Sequence, residues 1–285
     1  MASISSMDKP AAGAAPADPP RASGPRKMRL LYPVDPRVRL FLGVGFFALF
    51  LLFWTFLTAA GIVAPHFLAS PLQAVSAAWK LFAEFGFLSD VGMTVWRVLG
   101  GFALAAAVAV PLGIAMGAYK PIEAVFEPFI SFARYLPASA FIPLLIMWVG
   151  IGEAQKLSII YLGCFFQLTL MVMMIVGNSR RDLVEAAYTL GSKDASVIRR
   201  VILPGAAPEI AEALRQVLGL GWTYVVVAEL IGAASGIGHM IMDSQALMAT
   251  DNIIAGIVII GLVGLASDLA FKKLNQKLFP WSLMR

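Results

Sequence analysis

Six long apolar runs are the feature that most constrains how this chain can fold. Each is close to the ~20 residues that a helix needs to cross the apolar layer of a bilayer. Of the 285 residues, 59% are hydrophobic and only 14% are charged, whereas a soluble domain carries about 25% charged residues. We therefore expect an all-α membrane protein with six transmembrane helices. The predicted helices cover residues 40–63, 93–118, 122–149, 157–177, 208–232 and 252–271.

Basic residues collect on one side of the predicted spans. If the N-terminus lies inside, the inner segments hold seventeen of the 22 Lys and Arg residues, whereas the outer loops hold only Lys80 and Lys156. The positive-inside rule therefore places both termini in the cytoplasm, together with the polar segment between the fourth and fifth spans. The net charge of +5 thus reflects membrane orientation, and we expect no nucleic-acid partner.

The N-terminal residues differ in composition from the rest of the chain. Residues 1–38 are rich in Ala, Pro and Ser and contain no long apolar run, so they predict a disordered cytoplasmic tail and not a signal peptide. Residues 39–285 are expected to form one transmembrane domain. Within it, residues 64–91 form an outer loop that contains a short amphipathic helix at residues 72–85.

The polar segment at residues 178–206 is itself patterned to fold. Asp182 and Glu185 have capping-box spacing, which predicts that Asp182 accepts from free amides at a helix start while Glu185 reaches back. Gly191 provides a left-handed stop for this helix. A second short helix follows and is expected to end at Pro204. The segment therefore predicts a helix–turn–helix on the cytoplasmic side.

These residues resemble the EAA loop of ABC importer permeases. The matching pattern is Glu185-Ala186-Ala187, then Gly191 after three residues, then Val201-x-Leu203-Pro204 after nine more, where the family usually has Ile at position 201. In that family the first helix of the loop is a coupling helix, which docks into a separate ATPase subunit. The alternative is an ordinary helical hairpin between two spans. By the resemblance, the ATPase-coupling residues are Glu185, Ala186, Ala187, Leu190, Gly191 and Pro204.

A second set of residues narrows the resemblance to permeases for nitrate, sulfonates, taurine and bicarbonate. The similarity covers roughly residues 70–285. Two positions depart from that pattern, because Val149 replaces a frequent Phe and Gln167 replaces a frequent Pro. Both lie near expected pathway helices and therefore bear on the substrate. The matching residues are Ile142-Pro143-Leu144-Leu145, Trp148-Val149-Gly150-Ile151-Gly152-Glu153, Gly221-Trp222, Ala228-Glu229, Gly236-Ile237-Gly238 and Trp281.

The resemblance implies the type I ABC importer permease (MetI-like) fold and the partners of such a permease. They are cytoplasmic ABC ATPase subunits, an extracytoplasmic substrate-binding protein and a second permease copy, in the inner membrane of a bacterium. The expected substrate is a small anion, namely nitrate, bicarbonate, taurine or another sulfonate. One chain carries a single EAA-like loop, which favours a homodimer over a pair with a different permease.

Three polar or aromatic residues in the apolar runs are candidates for the translocation pathway. Arg134 precedes Pro137 deep in the third predicted span. A charge beside irregular backbone is tolerated at such depth only against protein or a water-filled cavity. Trp222 and Glu229 in the fifth span are the other candidates, although Glu229 alternatively caps a loop.

Local spacing suggests roles for other residues of the spans. Arg97 is expected to extend to the lipid headgroups. Two pairs on single helices are expected to bind each other, Glu212 with Arg215 and Asp268 with Lys272. A ridge of small residues is expected to allow close packing against another helix of the same subunit, with a dimer seam as the alternative. The ridge consists of Gly101, Ala105, Ala109, Gly113 and Gly117.

Several activities are excluded by what the sequence lacks. It has no Gly-x-x-x-x-Gly-Lys-Ser/Thr phosphate loop, so ATP hydrolysis is expected on a partner chain. His66, His239 and Cys164 are too few and too scattered for a catalytic pair or a metal site. We therefore expect no catalytic residue, cofactor or metal. One alternative function is an ion-coupled secondary transporter or channel, which leaves the pattern at 185–204 unexplained. The other is a membrane scaffold, which does not explain Arg134 beside Pro137.

Overall fold

The computed structural model describes residues 34–64 and 66–281, in which helices and turns occur without a β-strand. Backbone contacts divide the chain into two units, residues 1–50 and 51–285. The predicted N-terminal tail, residues 1–38, lies almost wholly outside the described residues. The first described helix, α1 (Pro36–Ala59), begins near the end of that predicted tail.

Ten further α-helices follow α1 in the described residues. The predicted amphipathic helix at 72–85 is confirmed as α2, which begins with a capping box between Ser70 and Gln73. The helices are α2 (Pro71–Glu84), α3 (Leu88–Ala118), α4 (Lys120–Ala133), α5 (Ile142–Val149), α6 (Glu153–Gly177), α7 (Arg181–Thr189), α8 (Asp194–Val197), α9 (Leu203–Leu230), α10 (Ile237–Ala246) and α11 (Thr250–Leu278). By length and composition alone, α1, α3, α6 and α11 are each able to cross a membrane.

The ridge of small residues brings the backbone of α3 directly against α6. A Cβ atom at any of three glycines of the ridge would lie 2.7 Å or less from an atom of α6. In each case the glycine lies against the side chain of the residue 59 positions later in the sequence. Because this difference in residue number is constant, the two helices run parallel. The predicted packing within one subunit is therefore confirmed. The contacts are Gly101 with Ile160, Gly113 with Val172 and Gly117 with Val176.

The third predicted span, residues 122–149, is not one continuous helix. The helical segments Lys120–Ala133 and Ala138–Val149 are bent by 87° at a short break. Pro137 explains the break, because it lacks an N–H group and disfavours helical backbone at the residue before it. Pro128 remains inside α4 and Pro143 lies in the first turn of α5, so neither of these prolines interrupts a helix.

The parallel arrangement of α3 and α6 determines the path of the chain between them. The chain leaves α3 at one end of the bundle and enters α6 at the other. Residues 119–152 must therefore cross the bundle from one end to the other. The helices α4 and α5 together thus form a broken span and not a re-entrant loop. We call the end where α3 and α6 begin the Arg97 end, and the opposite end the Glu185 end.

The fifth predicted span, residues 208–232, corresponds to α9. This helix has 28 residues but carries Glu209, Glu212, Arg215 and Glu229, so its composition alone does not identify it as a span. It runs antiparallel to α6, since Val217 meets Cys164 in the middle of α6 while Glu229 lies at the Arg97 end. Apolar length and composition thus identify four spans, or five if the bent pair α4–α5 is one span, and they do not identify α9.

We expect Gly113→Val to destabilise the bundle. Its Cβ would lie 2.7 Å from Val172 Cβ and 2.8 Å from the Thr169 carbonyl oxygen, and overpacking of this kind costs about 1–3 kcal/mol. The midpoint of thermal unfolding of the purified protein should fall. Gly92→Val is the matched control, because a Cβ at Gly92 on the same helix meets nothing within 4 Å. Equal midpoints for the two variants would contradict the packing of α3 on α6.

Candidate functional site

The loop at the Glu185 end presents a short exposed helix. None of the nine residues of α7 is buried, and Leu183 and Tyr188 are each 47% exposed. Glu185 is exposed, and its carboxylate binds no other described residue. Ala186 is exposed and Ala187 partly buried, while Leu190, which follows the helix, is 86% exposed. An apolar face beside a free carboxylate is thus open to a partner.

The predicted stop of α7 is confirmed. Gly191 has a φ of +78°, which side chains with a Cβ adopt at a cost. The amide of Gly191 donates to the Tyr188 carbonyl at 2.8 Å, and the amide of Ser192 donates to the Ala187 carbonyl at 3.0 Å. These two bonds are the Schellman arrangement, which satisfies carbonyls that the helix end leaves free. The end of α7 is therefore fixed by its backbone.

The predicted capping box at the start of α7 is wrong. The helix begins at Arg181, two residues earlier than predicted, with Arg180 as its cap, and no side chain caps it. Asp182 lies in the first turn and binds Arg180, with 3.2 Å from Nε and 2.5 Å from Nη2 to the carboxylate. The Arg180 guanidinium holds the pKa of the Asp182 carboxyl below its usual range. Glu185 is therefore not held by its own helix.

The prediction that Pro204 ends the second helix of the loop is wrong. Pro204 lies in the first turn of α9. The turn Ile198–Ile202 between α8 and α9 is a π-helix, in which the amide of Leu203 donates to the carbonyl of Ile198. A proline provides no amide and crowds the preceding turn, and a wider turn just before it removes that conflict. The loop therefore continues as helix into α9.

Arg97 joins three helices and a loop at the opposite end of the bundle. This arginine on α3 is 1% exposed. Its Nη1 donates to Glu229 Oε1 of α9 at 2.8 Å and to the Ser235 carbonyl at 2.7 Å. Its Nε and Nη2 donate to the carboxylate of Glu153, at the start of α6, at 2.8 and 2.7 Å. The prediction that Arg97 extends to the headgroups is wrong, because two carboxylates compensate its charge inside the protein.

The same group of side chains caps the start of α10. Glu229 is 1% exposed and also accepts from Thr94 Oγ1 at 2.9 Å. The first amides of a helix have no partner within it, and here side chains of α3 and α9 accept from them. Glu229 thus caps the start of a helix, whereas the sequence offered the cap of a loop, and its place in a pathway stays a prediction. The bonds are Gly236 to Asp90, Ile237 to Thr94 and Gly238 to Glu229, at 2.7 to 2.9 Å. We call Thr94, Arg97, Glu153, Glu229 and Ser235 the Arg97 cluster.

Two other charged residues of the spans differ from their predictions, one in its position and one in its binding partner. Lys156 was expected in an outer loop but is 2% exposed in the first turn of α6, where Nζ donates to the Gly152 carbonyl at 3.2 Å. Asp268 was expected to bind Lys272 but accepts from Arg215 Nη1 at 2.5 Å. Arg215 also binds Glu212, as predicted, with 2.9 Å between Nε and Oε2.

The three candidate pathway residues occupy three separate places. Arg134 is exposed and lies at the break between α4 and α5, where it lines a cavity. Trp222 is 6% exposed, and its Nε1 donates to Ser267 Oγ of α11 at 2.9 Å. Glu229 belongs to the Arg97 cluster. The structure therefore does not gather them into one site, and Arg134 is the one of the three that lines the cavity at this break.

Comparison with known proteins relates the chain to membrane transport. The profile of the family described as "Binding-protein-dependent transport system inner membrane component" matches residues 109–280. The taurine transport system permease protein TauC of Escherichia coli (strain K12) is 34% identical over 90% of this chain and 94% of its own length. The putative aliphatic sulfonates transport permease protein SsuC of Bacillus subtilis (strain 168) is 32% identical over 82% of this chain and 85% of its own length.

A solved structure has the same fold. The MetNI methionine ABC transporter in an inward facing conformation includes a chain that matches with a TM-score of 0.61 and 17% sequence identity. The match covers 67% of this chain and 95% of the other. The type I ABC importer permease fold expected from the sequence is therefore confirmed.

We expect Glu229→Gln to destabilise the protein more than Glu153→Gln. Both changes remove a carboxylate from Arg97, but the Glu229 side chain is fully buried whereas that of Glu153 is 46% exposed. Breaking a buried ion pair costs about 3–5 kcal/mol, while water can replace an exposed partner. Thermal unfolding of both purified variants measures the difference. A smaller shift for Glu229→Gln than for Glu153→Gln would contradict the arrangement of the Arg97 cluster.

Proposed function

Because the chain belongs to the family of binding-protein-dependent transport system inner membrane components, we propose that it forms the translocation pathway of an ABC importer for a small sulfonate. Family membership makes it a non-catalytic permease subunit whose ATPase is a separate partner chain. The observation that carries the finer proposal is the exposed helix α7, which has an apolar face and a free carboxylate at one end of the bundle.

Helix α7 is the proposed contact with the ATPase. Leu183, Tyr188 and Leu190 offer apolar side chains that water otherwise surrounds. Glu185 offers a carboxylate that binds no other described residue and can receive a basic side chain of the partner. The fixed backbone at Gly191 and the helical connection into α9 transmit a displacement of α7 to the spans. Movement of the ATPases would thus be coupled to rigid-body rocking of the bundle.

The Glu185 end is the proposed cytoplasmic side. Basic residues of the loop and of the end of α11 lie there, and positive residues favour the cytoplasmic face. The Arg97 end then faces the substrate-binding protein. The basic residues of the loop and of α11 at the Glu185 end are Arg180, Arg181, Lys193, Arg199, Arg200, Lys272, Lys273 and Lys277.

A homodimer is the proposed assembly. One chain supplies a single α7, whereas an importer with two ATPases requires two such contacts. A two-fold axis perpendicular to the membrane would give each copy its own ATPase. The mass of the purified complex decides this point, since two 30.5 kDa copies are expected. One copy beside a different permease would refute it.

A sulfonate is the proposed substrate class. The names of two relatives specify taurine and aliphatic sulfonates, and similarity to the first covers 90% of this chain. Calorimetry of the partner binding protein with taurine, an alkanesulfonate, nitrate and bicarbonate tests the choice. Tight binding of taurine or the alkanesulfonate is expected, and tight binding of nitrate or bicarbonate with no binding of either sulfonate would contradict it.

We expect Glu185→Lys to abolish most ATP-driven uptake while the protein still inserts. The reversed charge repels the basic partner that the exposed carboxylate is proposed to meet. A loss of about tenfold or more in uptake corresponds to at least ~1.4 kcal/mol of coupling free energy. Taurine uptake into proteoliposomes that contain the permease, its ATPase and its binding protein measures the effect.

Glu84→Lys is the matched control for this experiment. Glu84 is exposed at the end of α2, and its reversal should leave uptake unchanged. Gly191→Val should resemble Glu185→Lys, because it strains the stop of α7. Normal uptake in both loop variants at normal expression would refute the coupling role of α7.

A further inference from the structure

A small cavity lies where the third span breaks. It opens beside the joint between α4 and α5 and is closed on its other sides by α6 and α9. Its polar lining consists of Arg134 at the break, Gln167 of α6 and Tyr224 of α9, and Leu220 of α9 lies beside them. The cavity has a volume of about 90 Å³, enough for several water molecules.

Arg134 differs from the basic residues of α3, α6 and α9. Arg97, Lys156 and Arg215 each lie within 4.0 Å of a carboxylate. Arg134 donates one hydrogen bond, from Nη2 to the Tyr135 hydroxyl at 2.8 Å, and lies 4.8 Å from the centre of that ring. Neither contact neutralises the charge. A guanidinium has five N–H donors, so most of them bind no other described residue.

The cavity lies near the middle of the membrane. Gln167 is fourteen residues from the start of α6 and ten from its end. With a rise of 1.5 Å per residue, these intervals are about 21 and 15 Å. An uncompensated positive charge at such depth is unfavourable in lipid, so a residue that carries one is a candidate functional residue. A negatively charged ligand would provide the missing compensation.

The neighbouring residues shape the cavity for a small ligand. Gln167 and Tyr224 make no side-chain hydrogen bond to another described residue, so their polar groups are free to bind. Gly163 allows the Tyr224 ring to lie against α6, because a Cβ there would be 2.4 Å from Tyr224 Cδ2. No carboxylate lines the cavity in the described residues, so nothing in it repels an anion.

We propose that this cavity is a binding site for the sulfonate group of the transported solute, with Arg134 as its anion-binding residue. The inference rests on the proposed function for the identity of the solute. A guanidinium matches a tetrahedral oxyanion by donating two parallel hydrogen bonds. Gln167 and Tyr224 contribute neutral polar groups beside it. Arg134 has helical backbone at the C-terminal end of α4, directly before the break at Pro137.

The field of Arg134 can be measured without knowledge of the solute. Leu220 is 40% exposed and lines the cavity, so Leu220→Cys places a thiol beside Arg134. The single native cysteine, Cys164, is buried and is replaced by Ala in all variants. The thiol is treated with an anionic reagent, 2-sulfonatoethyl methanethiosulfonate, and with a cationic one, 2-(trimethylammonium)ethyl methanethiosulfonate. The permease is assembled with its ATPase in liposomes, with and without ATP.

Arg134→Gln should lower the ratio of the anionic to the cationic reaction rate by about tenfold, because one nearby charge is lost in a site shielded from bulk water. Lys80→Gln is the matched control, since it removes a positive charge on α2 and should leave the ratio unchanged. An unchanged ratio in Arg134→Gln would overturn the proposal. A thiol that reacts with neither reagent, with or without ATP, would also overturn it.

Taurine uptake by the same proteoliposomes separates this inference from the proposed function. Arg134→Gln should reduce uptake at least tenfold, whereas Arg134→Lys should retain part of it. If the unaltered permease transports no sulfonate but the reagent ratio still depends on Arg134, the proposed substrate is wrong and the anion site stands. If the unaltered permease transports taurine and Arg134→Gln does so equally well, the site is wrong and the proposed function stands.

Discussion

The close parallel contact between α3 and α6 is the constraint on which the described bundle depends. Lipid provides little hydrophobic drive for helices to associate, so their contact relies on close approach of their backbones. Glycines at 101, 113 and 117 allow that approach, and the constant offset to α6 makes the contact parallel. The parallel direction then requires α4 and α5 to cross between them. A local property of three residues thus determines how a much longer stretch of chain is arranged.

Ion pairs hold α9 against this parallel pair and against α11. At one end Glu229 binds Arg97 of α3, and further along the helix Arg215 binds Asp268 of α11. Buried ion pairs add little net stability, because desolvation offsets much of their attraction. The buried pair of Arg97 and Glu229 is nevertheless costly to break, and both pairs join α9 to neighbouring helices. Arg134 lies outside these pairs, at the one sharp break in the spans of the described chain.

The sequence predicted the helices well because apolar length is a local property. All six predicted spans correspond to helical segments, and Gly191 has the left-handed backbone that its type and position suggested. The family resemblance rested on the spacing of Glu185, Gly191 and Pro204, and the comparisons confirm the family. Such features require only residues that are close in the chain.

The polar partners were harder to predict because they are distant in the chain. Arg97 lies 132 residues from Glu229, and Arg215 lies 53 residues from Asp268. Spacing along one helix favoured Lys272 for Asp268, but packing brought a closer arginine from α9. A charge deep in an apolar run requires a partner, and this rule could have paired Arg97 with Glu229. The same rule could not have identified Glu153 as a partner. The sequence predicted that this helix begins at residue 157, which left Glu153 outside the span, whereas α6 begins at Glu153.

The most direct test of this account is the sidedness of the two ends of the bundle. Ala186 on α7 and Ala234 after α9 are both exposed, and each can be replaced by Cys in a protein that lacks Cys164. A membrane-impermeant maleimide should label the cysteine at 234 in intact spheroplasts and the cysteine at 186 only after permeabilisation. Labelling of both in intact spheroplasts, or of neither, would place the two ends on the same side and contradict the arrangement of the spans.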